Sequence, residues 1–137
     1  MNIVFINQDK SFARIPRKAI LSIFGCAKKA FPKKIGSKSV SIVFETAAKS
    51  KELNARYRRK NYATNVLSFE SRELGELGDI IICPTAAKAQ AKEMNIGFYW
   101  WIGYLFAHGL LHLIGFDHKT KQQEKKMDLL TRKILQN

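Results

Sequence analysis

Cysteine is nearly absent from this 137-residue chain, at two residues, and proline is scarce, at three. Cys26 and Cys83 cannot make the disulfide framework of a small secreted scaffold, and neither has CxxC or Cys/His metal spacing. Cys26 falls on an apolar helical face and Cys83 ends a strand-like run, so both read as buried thiols. With no repeat and no low-complexity tract, a fibrous or disordered chain is excluded. Acidic residues are short too: 11 Asp and Glu stand against 24 Lys and Arg, for a formal net charge of +13. The excess is lopsided. Residues 1–60 hold 15 basic and 3 acidic side chains, whereas the remainder holds 9 and 8. A basic half beside a near-neutral half suits a polyanionic partner, either nucleic acid or an anionic membrane surface. A merely solvated surface is the plainer reading of the same charge. The opening residues 1–7 lack the n-region and h-region of a signal peptide, so a reducing, cytoplasmic location is expected.

At 46% apolar and 26% charged residues, the composition fits one globular domain over residues 1–137, long enough to bury a substantial core. Residues 97–116 form a twenty-residue apolar stretch, long enough in principle to span a bilayer. Four glycines, two ionisable histidines and the lack of flanking Lys or Arg clusters argue instead for a helix buried in a small core, so no membrane association is expected.

Periodicity predicts a strand at 2–7, then a helix over 16–31 carrying Ile20, Ile23, Phe24, Ala27 and Phe31 and stopped by Pro32. Residues 33–38 read as a basic loop. Val40, Ile42 and Phe44 alternate in a strand at 39–45, after which Thr46 caps a helix to about Tyr57. Strands follow at 65–70 and 78–83, joined by a polar, acidic turn at 71–78. Pro84 opens a helix to about Met94, and the histidine helix comes next. Thr120 with Gln123 is a capping box for a last helix carrying Met127, Leu130 and Ile134. Four strands and about five helices in this order predict an α+β fold with a small mixed four-stranded sheet.

All three histidines, His108, His112 and His118, fall within eleven residues. His108 and His112 lie four apart, on one face of a helix. Gly115 can take φ > 0 and end that helix, turning His118 back toward the same point. Three imidazoles without an evident fourth ligand describe a catalytic zinc site with an open position, one ion per chain. Imidazole also suits nickel, copper and iron. A cation held by neutral rings lowers the pKa of a bound water toward about 7. The spacing equals that of the metzincin proteases, but Gly109 stands where their catalytic Glu would be. Gly109 reads as a point of close approach, to backbone or to substrate. Asp117 reads equally as a group that orients an imidazole or as a simple turn residue. The cluster Arg56-Tyr57-Arg58-Arg59-Lys60 offers guanidinium for phosphate and a ring for an unpaired base, against the plainer reading of a solvated helix end. Phe98-Tyr99-Trp100-Trp101 invites a stacking hypothesis as well, with core packing the favoured reading.

The run His108-Gly109-Leu110-Leu111-His112-Leu113-Ile114-Gly115-Phe116-Asp117-His118 resembles the signature of the bacterial YbeY endoribonucleases, the rRNA maturation factors, without a departure. Two further segments resemble that family: Leu53-Asn54, Tyr57-Arg58 and 64–69 together, and Leu77-Gly78-Asp79-Ile80. Order and spacing agree over about residues 40–135. Ala63 and Glu70 stand where the family usually has proline, and Arg59 and Asn61 replace an often-seen Gly and Asp. The resemblance implies a metal-dependent, single-strand-preferring endoribonuclease of ribosomal RNA maturation, at the 16S 3′ end, and of ribosome quality control. It implies an α+β fold with a central mixed sheet, His108, His112 and His118 as zinc ligands, and Arg58 and His108 as the catalytic residues. RNA and the ribosome are the implied partners. Two other readings stay open: a metzincin-like peptidase lacking its Glu, and a non-enzymatic RNA- or ribosome-binding factor with structural zinc.

Overall fold

The computed structural model describes residues 2–58 and 66–136, together with every side chain among them except that of Arg58. Arg59, Lys60, Asn61, Ala63, Thr64 and Asn65 lie outside the described residues. The chain runs β1 (Ile3–Asn7), α1 (Arg17–Ala30), α2 (Pro32–Ile35), β2 (Ser39–Phe44), α3 (Ala47–Arg58), β3 (Val66–Glu70) and β4 (Glu76–Ile82). It ends in α4 (Pro84–Met94), α5 (Phe98–Leu113) and α6 (Lys121–Gln136). The sheet order is β1-β2-β4-β3; β1, β2 and β4 are parallel, and β3 is antiparallel to β4. This is the expected mixed four-stranded α+β sheet, with six helices among the described residues rather than about five.

The extra helix is α2, where a basic loop was expected. Pro32 ends α1 as predicted, but its fixed φ also suits the first position of a new helical turn. That turn places Ile35, the one apolar residue of the segment, fully in the core. The second difference lies at β4, which starts at Glu76 rather than at residue 78. Ser39 pairs with Glu76 and Val40 with Gly78, so Leu77 is an extra residue in the ladder. This β-bulge needs Gly78 at φ +143°, a backbone conformation open to glycine. The bulge puts Leu77 into the core and keeps the acidic turn at 71–75.

The remaining signals act as the residues dictate. Val40, Ile42 and Phe44 are buried on one face of β2. The Thr46 hydroxyl accepts the Lys49 N–H at 3.2 Å and opens α3. Thr120 and Gln123 satisfy each other's N–H groups, at 3.1 and 3.2 Å. The core joins the sheet to α1 and α5 through Phe24, Phe44, Ile80, Phe106 and Leu110. Each such side chain contributes roughly 1.5–3 kcal/mol by leaving water.

Helix α5 is the centre of the molecule, packed against α1, α4, α6, β3 and β4. From Ile102 to Ile114 every residue is buried except His108 and His112. No helix among the described residues is long and apolar enough to cross a membrane. Its C-terminal end rests over the bulge, where a Cβ on Gly78 would lie 2.1 Å from the Phe69 carbonyl oxygen and 3.1 Å from Leu113. Gly78→Ala should therefore cost at least about 2 kcal/mol of unfolding free energy, through overpacking and backbone strain. Urea denaturation measures it, and a wild-type midpoint would contradict the bulge.

Candidate metal centre

The two helical histidines project from α5 one turn apart, and the helix stops directly after them. The Gly115 N–H bonds the His112 carbonyl at 3.1 Å, and the Phe116 N–H bonds the Leu111 carbonyl at 3.0 Å. These are the two hydrogen bonds of a Schellman motif, with Gly115 at φ +108° as its left-handed residue. The turned chain is pinned from outside. Phe116 packs edge-on against Phe31 at 5.4 Å, and Lys34 donates to the Ile114 carbonyl at 3.3 Å. Two residues on, Asp117 folds back and accepts the His118 N–H at 2.7 Å.

His118 thereby returns to the helix face. The ring centroids of His108, His112 and His118 lie 5.1, 5.4 and 4.6 Å apart. One nitrogen of each ring falls within 4.8 Å of the other two, and the cluster includes no Cys, Asp or Glu. Cys83 is fully buried at the end of β4, Cys26 is half-buried on α1, and neither is in a disulfide.

Burial holds His108 well below the ordinary histidine value, at about 4, helped by the charges that His112 and His118 would carry. At neutral pH the ring is uncharged and its lone pair is available. Its Nδ1 is buried with no hydrogen-bond partner among the described residues. Three imidazoles converging in this way fit a divalent cation. Asp117 sits below the usual carboxylate range, chiefly because it accepts the His118 N–H. Its second oxygen lies 3.7 Å from Lys119 Nζ. Asp117 thus makes the bond of a turn residue, and its charge also interacts with His112 and His118.

Gly109 faces away from the histidines. A Cβ there would lie 3.0 Å from both Ile80 Cγ2 and Ser68 Oγ, and the Ser68 hydroxyl donates to the Gly109 carbonyl at 3.3 Å. The close approach anticipated from the sequence is helix to sheet, not helix to substrate. Beside the histidines opens a cleft of about 520 Å³, lined by Tyr104, His108, His118, Lys121, Glu124, Lys125 and Asp128.

Sequence reasoning brings together its three histidines and misses the cleft wall. Tyr104, four residues before His108, stacks on its ring at 5.9 Å and 15°. The Tyr104 hydroxyl donates to Asp128, and burial, followed by that carboxylate, pushes its pKa far above the ordinary range. Extending the histidine stripe one turn back along α5 would have found it. The aromatic stretch is only partly core: Phe98 and Trp101 pack inward, whereas Tyr99 and Trp100 are exposed. Arg58 closes α3, but its side chain lies outside the described residues.

A small α+β domain with three imidazoles gathered beside a lysine-lined cleft is a protein built around a candidate metal centre. Comparison with known proteins sharpens that class. The family profile described as Endoribonuclease YbeY matches residues 5–137. The Endoribonuclease YbeY of Bdellovibrio bacteriovorus is 35% identical over 130 residues, covering 90% of this chain and 85% of that protein. That of Thermodesulfovibrio yellowstonii is 43% identical over 104 residues, covering 72% and 65%. The solution structure of TM1509 from Thermotoga maritima superposes with a TM-score of 0.66 at 27% identity, covering 98% of this chain and 87% of the other. The chain belongs to the endoribonuclease YbeY family.

Two outcomes follow for the centre. Protein purified with His112→Ala should retain its fold and carry no bound metal, counted by atomic absorption; undiminished metal would contradict the triad. In metal-free protein, the unfolded chain takes up a proton on His108 near pH 6.5, whereas the folded one refuses it until about 4. Stability should therefore fall as pH drops through that window. Denaturation midpoints should show a weaker slope in His108→Gln, and an unchanged slope would contradict the burial argument.

Proposed function

We propose that this chain is a zinc-dependent, single-strand-preferring endoribonuclease that works in the cytoplasm on ribosomal RNA. Its place is in maturation of the 16S 3′ end and in ribosome quality control, with the ribosome as partner. Its family membership makes it an RNA-cleaving hydrolase. The observation that carries the metal reading is the convergence of His108, His112 and His118 within 4.8 Å.

His108, His112 and His118 would hold the ion, with the half-buried, uncharged His108 as the ligand least exposed to competing protons. A divalent cation there supplies Lewis acidity at neutral pH, without a separate strong base. The Schellman turn and the Asp117 bond fix the His118 backbone so that the third ligand is in place before substrate arrives. Lys121 and Lys125 line the cleft where a phosphate would enter. Arg58 offsets the charge that grows on the phosphoryl oxygens as the P–O bond breaks. The basic residues of 1–60 hold the RNA backbone electrostatically, with an affinity that falls steeply as salt rises.

Neither rival has comparable support. A metzincin-like peptidase needs a Glu reaching the reacting atoms from position 109, and that position is pressed against Ile80 and Ser68. A peptide also gains nothing from a basic half. A structural zinc site closes with four protein ligands, and the cluster offers three imidazoles and no cysteine.

The test is cleavage of a single-stranded ribosomal RNA fragment by protein whose bound metal has been counted. Arg58→Ala and His112→Ala proteins, purified identically, run beside it. The wild type should cleave, and His112→Ala should lose metal and activity together. Arg58→Ala should keep its metal and slow by roughly 10²–10³-fold. Equal activity in all three proteins would contradict the assignment.

A further inference from the structure

The cleavage chemistry leaves unused an aromatic series on α5. Trp101 and Tyr104 stack at 4.7 Å and 13°, and Tyr104 stacks in turn on His108. Trp100 lies 6.4 Å from Trp101 at 27° and 5.7 Å from Tyr104. The inner rings are tied down. Trp101 Nε1 donates to Gln90 at 3.0 Å, and the Tyr104 hydroxyl donates to Asp128. Arg132 donates to both oxygens of the same Asp128, at 3.2 and 3.1 Å. Its guanidinium carbon sits 5.6 Å from the Trp100 ring centre and 5.8 Å from that of Tyr104.

Trp100 ends the series with 41% of its surface exposed. A large ring left in water beside rings fixed by hydrogen bonds is a flat apolar platform ordered in advance. The series runs from this platform to His108 in two ring steps, and the cleft beyond carries Lys121 and Lys125. Glu124 faces that cleft as well, while Asp128 is occupied by Tyr104 and Arg132. Flat rings, a guanidinium over them and two ammonium groups alongside match a nucleobase and its phosphate. They match an unpaired base in particular, because a duplex keeps the faces of its bases stacked on one another.

We propose that Trp100, backed by Trp101, Tyr104 and Arg132, is a stacking subsite for an unpaired RNA base next to the phosphate that enters the histidine centre. The proposal rests on the endoribonuclease reading and supplies a physical source for its single-strand preference. Base–aromatic stacking is worth roughly one to two orders of magnitude in affinity and tolerates any base.

The chain holds two tryptophans, and both belong to the series, so intrinsic tryptophan emission reports on this subsite alone. Metal-loaded protein is mixed rapidly with a single-stranded RNA oligonucleotide, or with the same strand in a duplex, and emission is followed before cleavage. The single strand should quench emission and the duplex should not. Trp100→Ala should raise KM and Kd for the single strand about ten- to a hundredfold with a far smaller change in kcat, and Trp100→Phe should restore most of the affinity. Bound metal and circular dichroism establish that both variants are folded. Quenching by the duplex, or a Trp100→Ala KM within twofold of wild type, would overturn the subsite while leaving cleavage by the wild type standing. Sedimentation showing RNA-free dimers that Trp100→Ala abolishes would overturn it in favour of self-association. Wild-type protein with full metal that is quenched but does not cleave would instead overturn the endoribonuclease reading.

Discussion

The seating of α5 on the sheet governs the rest of the structure. With a glycine at position 109 the helix axis drops close to β3 and β4, and the Ser68 hydroxyl reaches the helix backbone. Once seated, the helix is enclosed by three others and the sheet, so rotation about its axis would bury His108 and His112 or expose Phe106 and Leu110. Packing of ordinary apolar side chains thus sets the direction of two imidazoles. The Schellman turn and the Phe116–Phe31 contact do the same for the third. The candidate ligands are therefore oriented by interactions that involve no metal, the arrangement expected of a preorganised site.

Charge is distributed in a complementary way. Burial, helped by the charges that His112 and His118 would carry, holds His108 unprotonated at neutral pH, so that ring stays open to a cation. The surplus positive charge lies elsewhere, mostly in residues 1–60, with Lys121 and Lys125 at the cleft itself. Long-range attraction for a polyanion and short-range affinity for a cation are thereby separated in sequence. Two acidic groups near the centre are committed to local contacts, Asp117 to the His118 backbone and Asp128 to Tyr104 and Arg132, while Glu124 faces the cleft.

Much of this was legible in the residues because the signals were local. Alternation in β2, the Thr46 cap, the Thr120–Gln123 box and the i, i+4 histidine pair each depend on a few adjacent positions. The misses depend on tertiary partners. Pro32 reads only as a stop until Ile35 is seen to have a core to enter. The early start of β4 follows from pairing with Ser39, 37 positions earlier, and Gly78 marks a bulge only once that partner strand is known. Gly109 reads as a point of close approach, but its neighbours across the gap, Ile80 and Ser68, belong to strands distant in sequence. The aromatic run divides between core and surface according to which helices flank α5, and a single-helix pattern does not contain that information.

The central claim is an ion held by three imidazoles with a coordination position left open, and X-ray absorption at the zinc edge of the metal-loaded protein tests it most directly. Three nitrogen scatterers with imidazole outer-shell features at about 2.0–2.1 Å are expected, with one further light-atom scatterer from solvent. A sulfur scatterer at about 2.3 Å would place Cys26 or Cys83 on the metal, close the site, and contradict it.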